Sequence, residues 1–271
     1  MGNVIIRAAT SGDIPGICHV NRGEDGPWAE IDSCAAYVMN RLRCGFYVQV
    51  AEYGGRIAAH GEWIVSDEYR GRTFYLGQLQ VDPDLQRRGI GHLMIEDGVA
   101  HARAAGCGTV TLIPEQDTHS QLFYEKCGFV RGEDLLFSSL PAREGALRGE
   151  RLSEAPHELV RTMPFVFGLC QTAAQHMWQV FNRRPDGEGR QVDTLMGDGF
   201  CIQLGGFDKQ KNALLLTWAE DGKAGEAVIQ ARAFTYALGY PGLSFCFFPA
   251  NRRFFPEDAV EVDNYEMILR L

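Results

Sequence analysis

The chain lacks a basic excess: 26 Lys and Arg stand against 35 Asp and Glu, a formal net charge of -9 over 271 residues. Binders of nucleic acid or anionic membranes need a basic face, so this balance argues against both as partners and is compatible with a cationic ligand. No stretch approaches the roughly 20 apolar residues a spanning helix requires. The start, Met1-Gly2-Asn3-Val4-Ile5-Ile6-Arg7, has no apolar core of secretory length. Eight cysteines (18, 34, 44, 107, 127, 170, 201 and 246) form no C-x-x-C pair, and none sits at zinc-ligand spacing with the seven histidines. These absences lead us to expect no bound metal, reduced thiols and a cytoplasmic protein.

What is present is the composition of a globular protein, 45% hydrophobic and 23% charged. The length suits two domains of about 100–150 residues. In the first half, Ile5–Ala8 reads as a strand, with Thr10 or Ser11 capping a helix through Ile17 and Val20. A polar, glycine-rich loop over 22–28 leads to a second helix, Ile31–Arg43. Tyr47–Glu52, Arg56–Val65 and Tyr75–Val81 are strand-like, the first two joined at Gly54-Gly55. A helix over Ile90–Ala105, a strand over Thr109–Ile113, a short helix over Ser120–Lys126 and a strand near Leu135–Phe137 complete the half. The order β-α-α-β-β-β-α-β-α-β implies an α/β (α+β) mixed sheet with helices on its faces.

Residues 141–156, rich in Arg, Glu, Gly and Pro, read as a linker between domains 1–140 and 157–271. The second half repeats the order in shortened form. A strand is expected at Leu159–Arg161 and a helix over Phe165–Phe181. Strands follow at Phe200–Leu204 and Ala213–Trp218, a helix at Gly225–Leu238, and strands at Leu243–Phe248 and Tyr265–Leu271.

The sharpest local signal is Gln86-Arg87-Arg88-Gly89-Ile90-Gly91, between an apolar strand and a helix. A strand turning through glycines into a helix makes an anion site, because the first-turn amides are free and the helix dipole favours negative charge. Gly89 and Gly91 would let a pyrophosphate approach without a Cβ in the way, and Arg87 and Arg88 add charge.

Three features, in order, give a family resemblance: the strand ending Leu79-Gln80-Val81-Asp82-Pro83, the Gln86–Gly91 turn as Q/R-x-x-G-x-G/A, and Phe123-Tyr124-Glu125-Lys126-Cys127-Gly128-Phe129 as Y-x-x-x-G-F. Over residues 4–140 the chain resembles the GNAT acetyltransferase superfamily. That resemblance implies the GNAT acyl-CoA N-acyltransferase fold and acetyl-CoA as co-substrate, lying where two parallel strands splay apart. It implies that the backbone of Leu79 and Val81 binds the pantetheine arm, that the amides of Arg87, Arg88, Gly89, Ile90 and Gly91, with Gln86 opening the motif, hold the pyrophosphate, and that Tyr124 is the acid that protonates the leaving thiolate. Where the family often carries an asparagine touching the CoA arm, this chain has Asp117, which accepts but cannot donate a hydrogen bond when ionised; His119 or Ser120 are alternatives for that role. Tyr75 stands near where some relatives carry a glutamate base, and a tyrosine is a poor base at neutral pH.

The general base stays open between Glu62, His60, Glu24, Asp25 and water. His60 and Glu62 share one strand face. Trp28 and His60 are expected to line the acceptor pocket. The implied reaction is acetyl transfer to a primary amine of a small molecule or protein. The alternative is a non-catalytic acyl-CoA-binding or sensing protein on the same fold, and a longer acyl donor is also open. The second half resembles a degenerate GNAT copy in tandem: Ala213–Trp218 stands as its central strand, and the following loop lacks Q-x-x-G-x-G and carries Glu220, Asp221 and Glu226 where phosphates would bind. Like charges oppose CoA there. This half is expected to complete the acceptor pocket or to form a homodimer surface.

Overall fold

The computed structural model describes residues 3–22, 28, 31–69, 71–115, 118–168, 178, 191–206, 209–255 and 260–271. Strand β1 (Val4–Ala8) precedes helices α1 (Ile14–Val20) and α2 (Ile31–Arg43). Strands β2 (Tyr47–Tyr53), β3 (Arg56–Glu68) and β4 (Gly71–Val81) form an antiparallel set. Then come α3 (Ile90–Ala104), β5 (Thr109–Leu112), α4 (Thr118–Lys126) and β6 (Val130–Pro141). The second half holds β7 (Glu150–Leu152), α5 (Leu159–Thr162), β8 (Phe165–Gly168), β9 (Gln191–Gly197), β10 (Phe200–Gly206), β11 (Ala213–Ala219), α6 (Ala224–Ala237), β12 (Gly242–Phe247) and β13 (Val260–Arg270).

All thirteen strands join one sheet, ordered β1-β2-β3-β4-β5-β13-β6-β12-β8-β11-β10-β9-β7. The closing strands of the two halves have exchanged places. β13 pairs with β5 of the first half, and β6 pairs with β12 of the second, while β6 and β13 pair with each other. The exchange carries core residues with it: Met267 packs with Leu112 and Phe129 in the first half, and Leu140 with Leu243 and Phe245 in the second.

The helices of the first half divide over two faces. Ile14, Ile17, Cys34 and Val38 from α1 and α2 pack on Val48, Val50, Ile64 and Tyr75. On the other face Ile90, Met94, Ile95 and Val99 of α3 meet Ala51, Ala59, Trp63 and Phe74. Both faces of β2 are therefore buried, and Val48, Gln49, Val50 and Ala51 are all inaccessible.

Several second-half elements differ from expectation. Leu159–Thr162 is one helical turn rather than a strand; Pro156 begins it, with the Leu159 amide donating to the Pro156 carbonyl. Phe165–Gly168 is a strand, not the start of a helix. Met163, ahead of Pro164, is held extended, and the aromatic and β-branched residues that follow favour a pleated surface. Residues 169–177 and 179–181 of that expected helix lie outside the described residues. The stretch read as a linker contributes β7, which pairs with β9. β6 is far longer than Leu135–Phe137 because it is paired on both sides, to β13 and β12.

Candidate active site

Strands β4 and β5 run parallel but pair only at Thr73–Thr109, Phe74–Val110 and Tyr75–Thr111. Beyond Tyr75, β4 continues to Val81 alongside β3 alone. A bulge marks the parting: Glu62 faces Gln78 and Trp63 faces Leu76, so Gly77 is the extra residue. It reverses the alternation of β4. Tyr75 packs toward α1 and α2, and so does Gln78, three positions on, while Leu79 and Val81 turn their side chains to the α3 face.

The turn into α3 faces this gap. Arg87 has φ +61° and Gly89 φ +79°, both left-handed. A Cβ on Gly89 would meet nothing nearby, so the glycine serves conformation here rather than space. At Gly91 the close neighbour is protein: a Cβ would come within 3.1 Å of the Phe123 ring. Helix α3 has no side-chain cap and no acidic residue in its first turn, and Gln86, Arg87 and Arg88 are exposed beside it. Ile90 is buried and anchors the turn. Free amides, a helix dipole and two cations fit a pyrophosphate. Tyr124 on α4 packs edge-on against Phe123 and Phe129. Burial, then Cys127 and Glu115, push its phenol pKa up, so it keeps its proton across neutral pH. Asp117 lies outside the described residues.

The structure brings His60 and Glu62 together and buries both, so His60 does not line an open pocket as expected. Glu62 is 1% exposed and His60 0%. Glu62 Oε2 accepts from the Tyr37 hydroxyl at 3.0 Å and from Arg41 Nε at 3.3 Å, and Arg41 Nη2 donates to Tyr37 Oη at 2.9 Å. His60 Nε2 stands 3.5 Å from Glu62 Oε1. Trp28 is also buried and meets Tyr37 and His60 edge-on, so it walls this cluster from one side. Tyr37 and Gln78 are the partly exposed members. Glu24 and Asp25 lie outside the described residues. Tyr75 is a buried packing residue in the core between β4 and α2.

Sequence reasoning missed Tyr37, Arg41, Asn21 and Gln78. One signal was available: Arg41 falls on the buried stripe Cys34, Val38, Arg41 of α2. A charge on an apolar helix stripe needs a buried partner.

The second half repeats the parting of a parallel strand pair and fills it. β11 and β12 run parallel and pair only at Ala213–Leu243 and Leu214–Ser244. Where they part, β8 enters, pairing Phe167 with Thr217 of β11 and with Phe247 of β12. Glu226 lies in the first turn of α6, and Lys223 before it is tied to Asp198 and Glu226.

A parallel strand pair that opens in front of an uncapped, glycine-led helix makes a site that fits an anion. Residues 12–129 match the model of the Acetyltransferase (GNAT) family. Solved structures share the fold over the whole chain. A GCN5-related N-acetyltransferase from Kribbella flavida is similar at TM-score 0.67 and 15% identity, covering 100% of this chain and 71% of its own. Another, from Anabaena variabilis, is similar at TM-score 0.66 and 12% identity, covering 98% and 72%. No curated protein matches the chain by sequence. Among the described residues no helix is long and apolar enough to cross a membrane, and no group of metal-ligating side chains occurs.

Proposed function

We propose that the chain moves the acetyl group of acetyl-CoA to a primary amine of a small molecule or protein. The observation that carries this reading is the parting of β4 and β5 in front of the uncapped start of α3. Acetyl-CoA supplies the acetyl group as an activated thioester. The amides of Arg87 to Gly91 hold its pyrophosphate, with the Arg87 and Arg88 side chains adding charge. Backbone groups of Leu79 and Val81, on the part of β4 that has left β5, align the pantetheine arm, and Asp117, His119 or Ser120 takes the family asparagine's place on that arm. Tyr124 Oη holds a proton for the departing sulfur. Glu62 takes the proton of the incoming ammonium group. Being buried, it does so through the Tyr37 hydroxyl that touches its Oε2 or through water, not by direct contact. Trp28 is the wall of the acceptor side. The second half takes no acetyl-CoA, because β8 and an acidic helix start stand in its equivalent cleft.

Calorimetry with acetyl-CoA tests the reading. One site per chain is expected, with affinity at least tenfold weaker in Gly89→Glu. Tyr124→Phe should keep that affinity and lose about 10²–10⁴-fold in turnover of an amine panel. A native chain that binds no acetyl-CoA ends the proposal. Binding without turnover on any amine favours the sensing alternative.

A further inference from the structure

The hydrogen bonds around His60 settle which of its nitrogens carries the proton. Asn21, the residue that ends α1, places its Nδ2 at 2.7 Å from the Ile17 carbonyl. A carbonyl only accepts, so that end of the amide is the NH₂ group. The other end, Oδ1, accepts from Gln78 Nε2 at 2.9 Å, which agrees. Asn21 Nδ2 also stands 3.2 Å from His60 Nδ1. With an amide donor facing it, Nδ1 is an acceptor and the single proton of a neutral imidazole is on Nε2. That nitrogen stands 3.5 Å from Glu62 Oε1, and among the described residues neither atom has a closer hydrogen-bond partner. Burial lowers the imidazole pKa, with Arg41 acting the same way and Glu62 opposing, so the ring is neutral at physiological pH.

We infer that Asn21 is a positioning residue: it holds His60 in the Nε2–H tautomer, and His60 in turn fixes the one oxygen of Glu62 that Tyr37 and Arg41 leave open. His60 is therefore not the base, since one nitrogen accepts from Asn21 and the other faces Glu62 with its proton. Gln78 reaches this chain only because the bulge at Gly77 turns it to the α1 face. The inference rests on the reading of Glu62 as the acceptor-side carboxylate. It adds that the acceptor side is ordered from α1, whose next residue, Arg22, also grips Asp82 at the end of β4.

The test is ¹⁵N and ¹³C spectroscopy of the full chain, with acetyl-CoA calorimetry on the same samples. Native His60 is expected to show a protonated Nε2 and a bare Nδ1. In Asn21→Asp the new carboxylate accepts rather than donates, so the proton should move to Nδ1 or the ring should take two, and the Glu62 side-chain carboxyl signal should shift with it. Acetyl-CoA affinity should stay within twofold. With an amine that the native chain acetylates, kcat/KM should fall at least tenfold. A native Nδ1–H tautomer overturns the inference without any variant, as does a tautomer change that leaves Glu62 and the amine rate unmoved. Failure of the native chain to bind acetyl-CoA would sink the acetyl-transfer reading and leave the tautomer result standing.

Discussion

A buried histidine and a buried aspartate give this protein two separate acid sensitivities. His60 is faced by Glu62 from β3 and by Arg41 from α2, with Asn21 and Trp28 as neutral neighbours. Burial sets its pKa below the usual value, so the unfolded chain binds more protons near pH 6 and stability falls as pH drops below about 6.5. Asp13 works in a lower window. Arg7, hydrogen-bonded at 2.7 and 2.8 Å, pulls the Asp13 pKa to about 2. Its contribution, about 2 kcal/mol, is present above the unfolded pKa near 3.8 and is lost as pH falls toward 2. Urea unfolding from pH 7 to 5.5 should therefore show a decline that His60→Gln flattens and Arg7→Met leaves in place. The pairing of His60 with Glu62 was legible from their spacing of two on a strand. Their partners were not, because Tyr37 and Arg41 come from a helix about 20 residues away in sequence and only packing brings them in.

Helix α3 shows what an element demands of its neighbours. Gly98, in its middle, lies against the Trp63 ring so closely that an added Cβ would overlap the indole, while Trp63 Nε1 is fixed by Gln49 Oε1 at 3.0 Å. Gly98→Ala gains about 1 kcal/mol of helix propensity but forces helix and sheet apart, an overpacking of about 1–3 kcal/mol. Net destabilisation is expected as a lowered melting temperature. Because α3 carries the Arg87–Gly91 turn at its start, weaker acetyl-CoA binding should accompany it; a variant that melts lower yet binds unchanged would show that the turn is held by Ile90 and Phe123 alone. The helix itself was legible at both ends, from its glycine turns and apolar period. The bulge in β4 was not. A lone glycine in a strand only hints at one, and the two-for-one opposition at Gly77 depends on the register with β3.

At the scale of the molecule, local patterns reported most strands, but pairing order is set by contacts between distant segments that no local pattern encodes. So neither the entry of β8 between β11 and β12 nor the exchange of β6 and β13 could be read from the sequence. The exchange makes each half depend on the other. Without β13, β5 and β6 would lose a shared neighbour, and the first-half core would lose Met267 together with the partly buried Tyr265 and Leu269. Two open edges and a missing core residue are an invitation to aggregation. A fragment ending at residue 141 holds every group of the proposed active site, yet it is expected to be insoluble or to melt far below the full chain. Removing residues 260–271 from the full chain should have the same effect on the first half and less on the second, whose sheet keeps β6 through its pairing with β12. A synthetic peptide of residues 260–271 should restore the truncated chain in trans, read as recovered near-ultraviolet dichroism and acetyl-CoA binding. A 1–141 fragment that folds and binds acetyl-CoA unaided would show that the swapped strand joins the halves without stabilising the first.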